Sequence, residues 1–83
     1  MDIEKDLRDF IEKNFSSRQD EINLSKDYPL LDSGLIDSAG IFELVGFMEK
    51  QYNIKISDDE ISPNNFETIN KLTVFINIKL KNK

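Results

Sequence analysis

The sequence predicts an all-α domain, a small four-helix bundle with three main helices and one short one. Three observations carry this reading. Apolar residues recur at helical spacing, neither proline nor glycine clusters into a linker, and a lone strand would find no partner in an otherwise helical chain. Eighty-three residues are enough for one domain, residues 1–83, and no more.

The first helix is expected from about Asp2 to Phe15, with Ile3, Leu7, Phe10, Ile11 and Phe15 on its apolar face. Residues from Ser16 to Ile36 form a long connection, which Ile22, Leu24, Leu30, Leu31, Leu35 and Ile36 could pin to the core. Pro29 and Gly34 discourage one continuous helix there. The second helix should run from Ser38 to about Tyr52, burying Ile41, Leu44, Val45, Met48 and Tyr52. Phe42 stands one turn below Ser38 at the edge of that face, equally suited to peripheral core and to contact with a partner.

Ser57 and Glu60 match a capping box, so a short third helix is expected over Asp58–Ile61, stopped near Pro63. The acids of this stretch lack the alternating oxygen ligands, central glycine and terminal glutamate of a calcium loop. In the last segment Ile69, Leu72, Ile76 and Leu80 fit a helix, while Val74, Ile76, Ile78 and Leu80 fit an alternating strand. Helix is the choice, with Thr68 as its N-cap.

Composition narrows the function. Without cysteine or histidine the chain has no disulfide, no thiolate chemistry and no Ser-His-Asp arrangement of its own, and a structural zinc site is excluded in practice. A net charge of −5 disfavours nucleic acid and suits basic partner surfaces. No apolar run reaches membrane-spanning length and the N-terminus lacks a signal peptide's apolar core, so the expected location is the cytosol. From Lys71 to Lys83 there are four lysines and no acid, which suits the negative end of a terminal helix.

Seven serines are present, and one stands apart. Ser38 follows Asp37 and opens the most apolar helix, where unpaired backbone N–H groups and the helix dipole welcome a phosphate. Ser33, in a second Asp-Ser doublet, precedes Gly34 and reads as a turn. On physical grounds alone, a plain helix cap at Asp37 or Ser38 is the favoured reading, because such caps are so frequent.

The string Gly34-Leu35-Ile36-Asp37-Ser38, followed by an apolar helix with Glu43-Leu44-Val45, resembles the acyl carrier protein family, peptidyl and D-alanyl carriers included. The resemblance extends over most of the chain, through Tyr52-Asn53-Ile54-Lys55-Ile56 and the closing helix after Thr68. It implies a stand-alone, non-catalytic carrier whose Ser38 is esterified by 4′-phosphopantetheine from coenzyme A. It also implies that Asp37 supports this modification by helping to position metal in the transferase. The thiol of the arm would carry acyl or aminoacyl groups as thioesters, which lets a chain without cysteine serve thioester chemistry.

The partners implied are a phosphopantetheinyl transferase, an acyl- or aminoacyl-adenylating ligase, and a downstream acyltransferase or synthase of lipid, polyketide or nonribosomal-peptide-type synthesis. The carrier itself is expected to be a monomer. Ala39, Phe42, Glu43, Gly46 and Glu49 are the candidate partner contacts. Here the sequence departs from the family: Ala39 stands where Leu or Met is usual, and Gly46 replaces a larger contact. The second helix carries only Glu43 and Glu49, offset by Lys50, which points to a dedicated partner set. The alternative is an unmodified helical adaptor that binds a partner through the face around Phe42.

Overall fold

Ile3, Leu7 and Ile11, each one turn from the next, draw the first segment into helix α1 (Ile3–Phe15) of the computed structural model, which describes residues 2–15 and 25–82. All three are buried, while Phe10 and Phe15 pack half-buried at the margin. The Asp2 carboxylate accepts the Lys5 N–H at 3.1 Å, and Arg8 pairs with Glu4 at 2.8 Å one turn apart. Of the expected loop anchors, Leu30 and Ile36 are fully buried and Leu31 and Leu35 partly so; Ile22 and Leu24 lie outside the described residues.

The stretch before the second helix is tied down by backbone bonds. Leu30 N–H donates to Glu67 O at 2.8 Å, Ile36 N–H to Leu30 O at 3.1 Å, and Asn70 N–H to Lys26 O at 2.9 Å. Gly34 takes the turn between them at φ +81°, a conformation that favours glycine.

Helix α2 (Ser38–Tyr52) buries Gly40, Leu44, Val45, Met48 and Tyr52, and ends at Asn53 in the left-handed region. The Tyr52 hydroxyl donates to Asp6 Oδ2 at 3.1 Å, linking α2 to α1. Burial first, and then this hydrogen bond, push the phenol far above its ordinary value of 10.0.

The region after α2 corrects one expectation. Asp58–Glu60 forms only a 3₁₀ turn, and the short third helix is α3 (Pro63–Phe66), which Pro63 opens rather than stops. The reason is the missing N–H of proline, which costs nothing in a first helical turn, with Ser62 extended ahead of it. The capping box does form: the Glu60 carboxylate takes the Ser57 N–H at 2.9 Å and also holds Lys79 of the last helix at 3.0 Å.

The bond from Ser57 N–H, and after it Lys79, hold the Glu60 carboxyl below its ordinary value of 4.5. A depressed folded-state pKa contributes stability above the unfolded value and loses it as pH falls through the folded one. Denaturation midpoints should therefore drop as the pH is lowered below 4.5, and Glu60→Gln should flatten part of that drop. A Glu60→Gln profile parallel to that of the parent would contradict this.

Helix α4 (Ile69–Lys81) is capped by Thr68, whose hydroxyl accepts the Lys71 N–H at 3.0 Å. It buries Ile69, Leu72, Phe75 and Ile76. Val74 and Ile78, which fitted a strand alternation, face outward on the helix and are about half exposed. The described residues thus form an all-helical bundle around one core, with no strand among them.

Candidate functional site

The site is built on the first turn of α2. Asp37 is the N-cap: its Oδ1 accepts the Gly40 N–H at 2.8 Å and its carbonyl the Ile41 N–H at 2.9 Å. Ser38 is the first helical residue and is exposed. Its hydroxyl has no hydrogen bond among the described residues, and the N–H groups of Ser38 and Ala39 are likewise without an acceptor there. Ser33 differs. Its Oγ accepts the Leu35 N–H at 3.2 Å and lies 3.4 Å from Leu30 O, closing the turn. Cap and free hydroxyl are therefore divided between the two members of the Asp37-Ser38 pair.

Below Ser38 runs a strip at positions 39, 42, 43 and 46, spaced i, i+3, i+4 and i+7 on one helix face. Ala39, Glu43 and Gly46 are exposed, and Phe42 is 66% exposed, so Phe42 is no part of the core. Glu49 is half-buried, and its Oε2 accepts the Ile56 N–H at 2.8 Å, bracing the chain where it leaves α2. Among the described residues no cluster of acids could hold a metal ion, and no helix is long and apolar enough to cross a membrane.

Two features escape sequence reasoning. Phe47 stacks on Phe10 with centroids 4.2 Å apart, across the junction of α1 and α2. Gly40 and Gly46, which look alike as helix-weakening glycines, are opposites. A Cβ at Gly46 meets nothing within 4 Å, whereas one at Gly40 would stand 2.7 Å from Phe15 Cε1 and 3.1 Å from Ile36 Cγ2. Gly46→Ala should stabilise the protein by up to about 1 kcal/mol. Gly40→Ala should destabilise it by about 1 kcal/mol net, overpacking outweighing helix propensity. Urea titration of both variants checks the opposite signs. The signal in the sequence was a glycine on the buried side of a first helical turn.

No family model matches the chain. It is 34% identical over 53 residues to the probable acyl carrier protein PigG of Serratia sp. (strain ATCC 39006), spanning 64% of this chain and 61% of PigG, less than two thirds of that relative's length. It is also 29% identical over 72 residues, 87% of either chain, to the D-alanyl carrier proteins of Streptococcus suis (strain 05ZYH33) and Streptococcus sanguinis (strain SK36). These similarities, at modest identity over most of the chain, support the acyl carrier protein family.

The relatives named are carriers, which supports a non-catalytic role. A solved structure titled "Crystal structure of FAD-dependent dehydrogenase" superposes with a TM-score of 0.76 at 31% identity, over 84% of this carrier and 97% of the matched chain. The matched chain is therefore of about the carrier's own size. In this carrier the Asp-Ser pair and the strip from Ala39 to Gly46 share one exposed end and side of α2.

Proposed function

We propose that Ser38 is the attachment point of a 4′-phosphopantetheine arm and that the protein presents acyl or aminoacyl groups to partner enzymes in the cytoplasm. One observation carries the reading: Asp37 does the capping, at 2.8 Å from Gly40 N, which leaves the Ser38 hydroxyl exposed and, among the described residues, unengaged. When bound, the arm supplies a terminal thiol that holds its cargo as a thioester. The residues present fit such a group. The N–H groups of Ser38 and Ala39, at the positive end of a 15-residue helix, favour a phosphate on that serine.

Asp37 keeps its second carboxylate oxygen, Oδ2, clear of the cap, in keeping with a role in the transfer step. Ala39, Phe42, Glu43 and Gly46 form the docking strip, with Phe42 as its apolar knob. Glu49, engaged by Ile56, enters as a brace beside that strip.

Partners comprise the transferase, an acyl- or aminoacyl-adenylating ligase and a downstream acyltransferase or synthase. The relatives' names divide between acyl and D-alanyl cargo. A title naming an FAD-dependent dehydrogenase, over a chain of carrier size, supports a flavoenzyme that oxidises the carried group as one further partner class.

Intact mass tests the reading. With a broad-specificity transferase and coenzyme A the protein should gain one phosphopantetheinyl group, mapped by peptide analysis to Ser38. A gain on Ser33 would overturn the site. No gain from a transferase shown to be active would leave the exposed Phe42 to an unmodified adaptor.

A further inference from the structure

We propose that Phe15 and Ile36 close the bundle over Gly40, so that a group tethered at Ser38 rides outside the core and Phe15 sets the limit on cargo. The proposal rests on Ser38 as the attachment point. An apolar chain tethered beside a hydrophobic core gains stability with each methylene it buries there. Gly40 is the buried residue of the first turn of α2, two residues beyond Ser38 and facing inward.

The space in front of it is taken. A single added carbon at Gly40 would already stand 2.7 Å from the Phe15 ring and 3.1 Å from Ile36. The Phe15 ring is itself held edge-on by Phe10 at 6.0 Å, and Phe10 is stacked on Phe47 at 4.2 Å. One and two turns below Gly40, Leu44 and Met48 are fully buried in a core continuous with Leu7, Ile11 and Leu30. An interior at this density admits a chain only by displacing a side chain. Cargo held in water throughout is favoured when it is short or polar, as an aminoacyl or short acyl group is.

The chain has no cysteine, so Ser38→Cys introduces a unique thiol. That thiol can be alkylated with a pantetheine-length maleimide ending in an acetyl, butyryl, octanoyl or dodecanoyl group. Melting temperatures across this series should agree within about 1 °C while Phe15 is present. With Phe15→Ala added, the longest chain should raise the melting temperature by about 4 °C or more over the shortest. Phe15→Leu serves if the alanine variant does not fold, with a smaller rise expected.

A melting temperature that climbs with chain length while Phe15 is intact overturns the proposal. So does a series that stays flat in both Phe15 variants. Because the thiol is alkylated chemically, failure of enzymatic loading at Ser38 would remove the attachment reading and leave this result standing on its own.

Discussion

Ser38→Ala is expected to abolish phosphopantetheinyl transfer completely while leaving stability within about 0.5 kcal/mol of the parent. The two halves of this result come from one geometric fact. Helix α2 is capped by Asp37, whose carboxylate holds the Gly40 N–H at 2.8 Å, and the Ser38 hydroxyl contributes no hydrogen bond among the described residues. Removing an exposed, unengaged hydroxyl leaves no buried group unsatisfied, so the fold has nothing to lose.

Asp37 should behave in the opposite way. Asp37→Ala removes the cap and should cost about 1 kcal/mol. Asp37→Asn keeps an oxygen for the Gly40 N–H, since asparagine caps as well as aspartate, and removes only the charge. If Asp37 helps to position metal in the transferase, the asparagine variant will melt with the parent yet load slowly. Equal loading of Asp37→Asn and the parent would confine Asp37 to capping. Loss of stability in Ser38→Ala would mean that the hydroxyl is part of the fold after all.

Helical periodicity made α2 legible from Ser38 to Tyr52, and the Thr68 cap and the burial of Leu30 and Ile36 were equally visible, because each depends on local chemistry. Pro63 was misread as a stop because proline both ends and begins helices, and only the extended Ser62 ahead of it decides which. Phe42 and Gly40 depended on what lies opposite them. A helical wheel places Phe42 at an edge, but only packing shows that no element among the described residues covers it. Likewise, only the approach of Phe15 and Ile36 tells Gly40 from Gly46. In the site, Ser38 could be singled out by its place at the opening of an apolar helix. The division of labour with Asp37 required coordinates.

Phe66→Ala is expected to bring the largest loss of stability among these changes, about 3–5 kcal/mol. Small domains are stable by about 5–15 kcal/mol in all, so most of the margin would go. Phe66 is only 1% exposed and its ring lies 6.0 Å from that of Phe75. Its helix, α3, has four residues, far too few to hold itself together, so tertiary burial of this ring must keep the turn in place.

The next residue, Glu67, offers its carbonyl to Leu30 N–H at 2.8 Å, and Leu30 in turn accepts Ile36 N–H at 3.1 Å. Ile36 runs directly into Asp37 and Ser38, so the Phe66 anchor and the start of α2 share one hydrogen-bonded path. The melting temperature should fall by more than about 12 °C, and Phe66→Leu, which keeps most of the volume, by far less. Loading at Ser38 should fall with the folded fraction, and cooling should restore both. A Phe66→Ala protein that melts within about 4 °C of the parent would show that α3 is held by its backbone bonds and not by its ring.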